Sequence, residues 1–127
     1  MIGLVNLQRK VKIDTASIRA FVADLSRRDG EWDGKTFSVV FVSDRRMKQL
    51  NELFRGKDAT TDVLSFPHEP DEFDPDKNNL GDIVISAEQA ERQAAECGLD
   101  LDTEIQQLIL DGPLHLCGYA HETDAGE

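Results

Sequence analysis

Residues 36–43, TFSVVFVS, are the stretch that decides the fold. Their β-branched and aromatic side chains are typical of a buried strand. Ser43 or Asp44 then offers a cap for a helix, and Gly56 offers its end. The helix between them is predicted to carry four apolar residues: Met47, Leu50, Leu53 and Phe54. A strand followed directly by an amphipathic helix indicates a sheet covered by helices.

Strands and helices alternate in both directions from this stretch. Upstream, residues 3–13 are predicted as a strand, and Asp14 or Thr15 as the cap of a helix. Downstream, the pattern predicts strands and helices in this order: a strand over 61–66 stopped by Pro67, a strand over 80–86, a helix over 87–97 stopped by Gly98, and a last helix capped by Asp102 or Thr103. The order predicts one domain over residues 1–127, with an α+β or α/β layer of sheet covered by helices.

Length and composition exclude several classes of protein. The chain has 127 residues, of which 39% are hydrophobic and 31% charged, as is ordinary for one globular domain. No apolar run approaches the roughly 20 residues that span a bilayer, and no signal peptide is recognised at the N-terminus. Two cysteines are too few for a disulfide framework. These features predict a cytoplasmic protein that does not bind a membrane.

The charge is unevenly distributed along the chain. The net charge is −11, but residues 1–60 carry 12 Lys and Arg against 8 Asp and Glu, whereas residues 61–127 carry 2 against 17. An acidic total disfavours indiscriminate phosphate binding, yet a local basic surface can form from the first half. The densest basic stretch predicts either a patch for a nucleic-acid backbone or a solvated helix face; it comprises Arg45, Arg46, Lys48, Arg55 and Lys57.

Residues 111–121, DGPLHLCGYAH, hold two of the three histidines. Asp111 and His115 are four apart, so on a helix they share one face. Gly118 can end that helix, and His121 can then fold back toward the same point. Three such ligands with an open fourth position are typical of a catalytic zinc site. The alternative is that His115 lies in the core and His121 on the surface.

A metalloprotease is a weaker interpretation of the same residues. The spacing His115-x-x-Gly118-x-x-His121 matches the second half of a metzincin signature. In the first half, Asp111 stands where the first histidine belongs and Gly112 where the glutamate belongs. Because peptide hydrolysis at such a site needs that glutamate as general base, the sequence does not favour a protease.

Four segments in chain order match motifs of one known family. They are L-N followed by F-R-G-K-D within 50–58, TDVLSFP at 61–67, LGDI at 80–83, and residues 111–121, where the family carries H-G-x-L-H-L-x-G-Y-D-H. On these residues the chain resembles the YbeY endoribonucleases, which are bacterial rRNA maturation factors. The matches run in order from about residue 50 to residue 121, a span of more than half of the chain.

The resemblance implies both a fold and an activity. The fold would be α+β, with a small mixed β-sheet covered by helices and a groove leading to a metal at the C-terminal helix. The activity would be metal-dependent cleavage of single-stranded RNA, in maturation of the 3′ end of 16S rRNA and in ribosome quality control. The implied partners are the 16S rRNA precursor and the small ribosomal subunit with its proteins, without a nucleotide cofactor. One Zn²⁺ per chain would be held by Asp111, His115 and His121, and Arg55 and His115 would be catalytic.

Two departures from the family motif suggest an alternative. Asp111 replaces the family's first histidine, which lowers the net charge of a zinc site and weakens its polarisation of water. Ala120 replaces an aspartate that is expected to orient a ligand. The chain would then be a catalytically impaired, ribosome-associated binding protein. A metal hydrolase for another substrate is a third, weaker interpretation.

Overall fold

The computed structural model describes residues 3–28, 36–67 and 79–116, with side chains over 3–24, 37–66 and 81–110. Four strands and four helices occur within those ranges. In chain order they are β1 (Gly3–Asn6), α1 (Thr15–Arg28), β2 (Thr36–Val42), α2 (Asp44–Arg55), β3 (Val63–Pro67), β4 (Asn79–Ser86), α3 (Ala87–Cys97) and α4 (Leu101–Leu116). None of these helices has both the length and the apolar character needed to cross a membrane.

The four strands form one mixed sheet in the order β1-β2-β4-β3. β1 and β4 both run parallel to β2, whereas β3 pairs with β4 in the antiparallel direction. β2 is therefore an interior strand, and its nearly continuous apolar sequence matches a strand that is buried on both faces. The predicted α+β class with a small mixed sheet covered by helices is confirmed.

The two faces of the sheet are covered unequally. On one face, Phe37, Val39 and Phe41 of β2 pack with β4 and with three helices. The helical members of this larger core come from α1, α3 and α4, and they are Ile18, Val22, Ala90, Ile105, Leu108 and Ile109. On the other face, Met47 of α2 packs with Val42, Leu64 and Val84. The helix α2 is thus the cover of the second, smaller core.

The prediction of a strand over residues 3–13 is wrong beyond Asn6. The side chain of Gln8, which is buried, closes a turn on Val11. Its Oε1 accepts a hydrogen bond from the Val11 N–H at 2.9 Å, and its Nε2 donates to the Val11 carbonyl at 2.8 Å. Because the amide satisfies both backbone groups of Val11, this residue can be buried without a neighbouring strand.

The ends of three helices show how far capping residues could be predicted. Ser43 caps α2 and Ser86 caps α3, and Gly56 and Gly98 end these helices with φ of 69°. The predicted caps of α4 are wrong, because Asp100 accepts the Thr103 N–H at 2.7 Å and the helix begins at Leu101. The carboxylate of Asp102 instead accepts a hydrogen bond from Ser17 Oγ of α1 at 2.9 Å. The β3 strand begins at Val63, later than predicted, and includes Pro67.

Candidate functional site

The carboxyl ends of β2 and β4 meet at the side chain of Asp44. α2 starts directly after β2, and α3 starts directly after β4, on the opposite face of the sheet. The Asp44 carboxylate accepts hydrogen bonds from Ser86 Oγ at 2.6 Å and from Arg92 Nη2 at 2.5 Å. Its backbone N–H donates to Glu88 Oε1 at 3.0 Å. One residue therefore joins the beginnings of two helices that follow neighbouring strands.

The surroundings of Asp44 favour its charged form. Burial raises the pKa of a carboxyl group. Here the hydrogen bonds from Ser86 and Arg92, together with the charge of Arg92, outweigh burial and hold the pKa of Asp44 below its ordinary value. Asp44 is thus an anion at neutral pH, and its partners are all groups of this chain. This geometry indicates that Asp44 stabilises the fold and does not transfer protons.

A shallow depression of about 490 Å³ lies beside this junction. Acidic and basic side chains both line it. The lining residues are Asp44, Arg45, Lys48, Asp58, Ala59 and Thr60. The Lys48 Nζ lies 3.5 Å from Asp58 Oδ1, so part of the positive charge predicted for this stretch is neutralised locally. The depression does not have the uniform positive charge that a phosphate-binding groove needs.

The basic side chains at the far end of α2 are placed differently. Arg55 is the last residue of the helix, and Gly56 turns the chain in the left-handed conformation that L-amino acids avoid. Arg55 and Lys57 are both exposed, and neither forms an ion pair within the described ranges. The buried Asn51 side chain holds the segment that follows, because its Nδ2 donates to the Ala59 carbonyl at 2.8 Å. Arg55 and Lys57 are thus exposed at a turn that the Asn51 side chain holds in place, and neither has an ion partner among the described residues.

The sequence pattern did not single out an aromatic pair beside these cations. Phe54 of α2 and Phe66 of β3 make an edge-to-face contact, with ring centroids 5.1 Å apart and an interplanar angle of 71°. Phe54 was predicted as one of four apolar residues on the helix, yet it remains 60% exposed. Helical spacing alone could not reveal this, because exposure depends on where the sheet beneath the helix ends.

The predicted metal ligands lie only partly within the described structure. The α4 backbone runs unbroken through Gly112 and Pro113 to Leu116, so Asp111 and His115 occupy positions one turn apart on one helix. Their side chains, and all of Gly118, Ala120 and His121, lie outside the described residues. In the part that is described, no three His, Cys, Asp or Glu side chains are grouped as a metal site. Zinc binding at this segment stays a prediction.

Comparison with known proteins identifies the family. The family model described as endoribonuclease YbeY matches residues 4–127, which is nearly the whole chain. The chain belongs to the endoribonuclease YbeY family. The family resemblance inferred from four short motifs is thereby confirmed.

Curated relatives named endoribonuclease YbeY align with most of this chain. The protein from Pelotomaculum thermopropionicum is 41% identical over 123 residues, covering 92% of this chain and 81% of the relative. The one from Syntrophus aciditrophicus is 38% identical and covers 99% of this chain and 79% of the relative. The one from Nautilia profundicola is 48% identical over 93 residues, which are 73% of this chain and 64% of the relative. The chain thus spans less than two-thirds of the Nautilia YbeY protein.

A solved structure shares the architecture. The solution structure of a Thermotoga maritima protein superimposes with a TM-score of 0.64 at 28% sequence identity. The match covers 94% of this chain and 73% of the Thermotoga protein. The mixed sheet and its helices are therefore a fold that is seen experimentally in a similar protein.

Proposed function

We propose that this YbeY-family chain is a metal-dependent endoribonuclease that cleaves single-stranded RNA in the cytoplasm. Its substrate would be the 16S rRNA precursor, at the 3′ end, with a further part in quality control of the small ribosomal subunit. The observation that carries the proposal is the family match over residues 4–127. The names of relatives that are 38–48% identical to this chain support an RNA substrate.

Arg55 is the residue to which we assign phosphate binding and charge stabilisation. Its guanidinium is permanently charged, and its planar fork of N–H groups matches two phosphate oxygens. Its exposure and freedom from ion pairs in the described structure leave it available to a strand of RNA. Cleavage of a phosphodiester concentrates negative charge on these oxygens, so a positioned cation lowers the barrier.

The donor set on the C-terminal segment fits a zinc ion. Two imidazoles and a carboxylate, from His115, His121 and Asp111, are ligands that zinc accepts. The unbroken α4 backbone keeps Asp111 and His115 one turn apart, which is a ligand spacing. A bound zinc would polarise a phosphate oxygen and make a water molecule more acidic. We assign His115 to the catalytic centre through this ligation. The carboxylate of Asp111 would make the site less positive than one with three histidines.

The test is cleavage of a single-stranded RNA, with a duplex of the same sequence for comparison. We expect the chain to cut the single strand, and we expect a chelator, His115→Ala or Arg55→Ala to abolish cutting. Arg19→Ala is the matched control, because Arg19 is an exposed arginine on α1. Cleavage that resists the chelator and survives His115→Ala would refute the proposal.

A second candidate is favoured by the two departures in the terminal motif. Asp111 and Ala120 replace a histidine and an aspartate of the family motif, and both changes weaken a hydrolytic site. The chain would then bind small-subunit particles without cutting RNA. Binding by the wild-type chain without turnover, and cleavage gained on Asp111→His, would establish this second function in place of the first. Cleavage by the wild-type chain would exclude it.

A further inference from the structure

At the end of α2, the aromatic ring of Phe54 is not buried in the core. Phe54 lies seven residues after Met47, on the stripe of the helix that faces the sheet. Met47 is fully buried, whereas Phe54 is 60% exposed. The ring contacts Phe66, which is itself packed against the smaller core. Phe54 is thus supported by a fixed neighbour while much of its surface stays open to solvent.

The exposed ring is distinctive among the aromatic residues whose side chains are described. Phe37 and Phe41 are buried and Phe21 and Phe66 are half-buried, which leaves Phe54 as the exposed member of the described set. A single exposed apolar side chain is ordinary on a protein surface. This one is supported by another ring and is followed at once by two exposed cations, Arg55 and Lys57.

The chemistry of this group points to one kind of ligand. Proteins bind single-stranded nucleic acids by stacking unpaired bases on aromatic rings while cations hold the adjacent phosphates. Residues 54–57 supply both parts within four consecutive positions, and neither Arg55 nor Lys57 has an ion pair within the described ranges. The charged side chains of Glu52, Arg55 and Lys57 surround Phe54, and Leu53, which is 75% exposed, is its one exposed apolar neighbour in residues 52–57. A protein partner would be expected to engage a wider apolar area than these two side chains offer. Two cations against one carboxylate favour a polyanion with a flat, apolar component.

We propose that Phe54 is the stacking platform for one unpaired base of an RNA strand whose phosphates lie against Arg55 and Lys57. The inference rests on the proposed RNA-cleaving function and adds to it a base subsite on α2. The edge-to-face contact with Phe66 holds the platform ring in one orientation, which limits the entropy lost when a base stacks on it. Stacking does not read hydrogen-bonding groups, so the subsite accepts any base and selects for an unpaired one.

The experiment measures binding of the full chain to single-stranded RNA that carries 2-aminopurine, a base analogue whose fluorescence falls on stacking. The signal is read immediately after mixing, before the strand is cut. We expect quenching with the wild-type chain and none with Phe54→Ala, whose affinity should be weaker by about 5- to 150-fold. Phe54→Trp should retain both quenching and affinity. Leu53→Ala, at a neighbouring residue that is 75% exposed, should behave as the wild type.

A second measurement separates stacking from a structural effect of the ring. One abasic nucleotide is moved along the strand, and binding is measured for the wild type and for Phe54→Ala. At one position the abasic strand should weaken wild-type binding as much as the substitution does, and the two changes together should cost no more than either alone. Thermal unfolding of each variant shows whether the fold is intact.

The outcomes distinguish this inference from the function on which it rests. If the wild-type chain neither binds nor cuts RNA, the proposed function fails and the base subsite fails with it. If the wild type is active and Phe54→Ala keeps its quenching and affinity, the subsite alone is overturned. Phe54→Ala could also lower the binding affinity equally at every abasic position, or Phe54→Trp could fail to restore the affinity. Either result would show that the ring only supports the fold and would overturn the base subsite.

Discussion

At the scale of single residues, Asp44 connects parts of the chain that are far apart in sequence. Its partners Ser86 and Arg92 lie 42 and 48 residues away. The sequence offered Ser43 or Asp44 as the cap of α2, and in the structure Ser43 Oγ accepts the Arg46 N–H at 3.2 Å. Asp44 is therefore free to bridge two helices. Local patterns predict caps, because a cap satisfies nearby backbone groups, but they carry no information about such distant partners.

Substitution of Asp44 should make stability depend differently on pH. We expect Asp44→Asn to lower the free energy of unfolding at pH 7 by about 1–3 kcal/mol, since charge-assisted hydrogen bonds from Arg92 and Ser86 are weakened. The pKa of Asp44 is lowered by folding, so the advantage of the wild type is full above about pH 5. It is lost as the pH falls through 3.8, the ordinary pKa of an aspartate, and then through the lower pKa of the folded state.

Denaturant unfolding between pH 3 and pH 7 checks this expectation. Asp58→Asn is the matched control, because Asp58 is 72% exposed and pairs only with Lys48 among the described residues. It should change stability by less than about 1 kcal/mol at any pH. A stability difference for Asp44→Asn that stays constant down to pH 3 would contradict the assigned role of its charge.

At the scale of elements, α2 shows what periodicity predicts and what it does not. Its bounds followed from Ser43 at one end and Gly56 at the other, because caps and left-handed glycines act locally. The burial of its apolar residues did not follow. Met47 is fully buried over the sheet, whereas Leu53 and Phe54 are 75% and 60% exposed. Burial is set by the surface that the helix meets, and that surface is built from β2, β3 and β4.

The two glycines that end α2 and α3 provide a matched pair of substitutions. Gly56 and Gly98 share a φ of 69°, and a Cβ on either would meet no atom within 4 Å. Gly56→Ala and Gly98→Ala should therefore each lower stability by about 1 kcal/mol, through backbone strain alone. Only Gly56 follows Arg55, so Gly56→Ala should also slow RNA cleavage by about ten-fold or more through misplacement of that cation.

Unfolding measurements and RNA cleavage rates of Gly56→Ala and Gly98→Ala test this prediction. Equal losses of stability with unequal losses of cleavage are the predicted pattern. If both variants cleave RNA as fast as the wild type, the turn at Gly56 has no part in presenting Arg55. If both lose cleavage equally, the loss reflects general destabilisation.

At the scale of the whole molecule, the two faces of the sheet carry helices of different charge. Among the described helices, the basic α2 covers one face, whereas the other face carries α1, which is also basic, together with the acidic α3 and α4. The two halves are tied by Arg92 on Asp44 and by Lys10 Nζ at 3.9 Å from Glu88. The unequal charge could be counted from the sequence. How that charge is shared between the two faces could not, because it depends on which face of the sheet each helix covers.

The exposed cations at the end of α2 predict the salt dependence of RNA binding. The logarithm of the binding constant should fall linearly with the logarithm of salt concentration, because bound cations displace counterions from phosphates. Arg55→Ala and Lys57→Ala should each reduce that slope by about 1. Arg19→Ala, on α1, should leave the slope unchanged. If neither Arg55→Ala nor Lys57→Ala alters the slope, the RNA binds another surface of the protein.

Some features of the candidate site could be predicted from the sequence, and others could not. Arg55 and the segment 111–121 could be found because short motifs preserve the residue types that chemistry requires. The structure adds that Arg55 is exposed on an anchored turn and that Asp111 and His115 share an unbroken helix. Neither the pairing of Lys48 with Asp58 nor the support of Phe54 by Phe66 could be read from spacing. Both contacts join separate segments that only folding brings together.

The central claim is that this chain cuts single-stranded RNA with a metal held by its C-terminal segment. The measurement that tests it most directly is the cleavage rate of chelator-stripped protein before and after one equivalent of zinc is restored. We expect no cleavage by the stripped wild type, recovery on adding zinc, and no recovery for His115→Ala, because that variant lacks a ligand. Cleavage by the stripped protein, or the same recovery in His115→Ala, would contradict the claim.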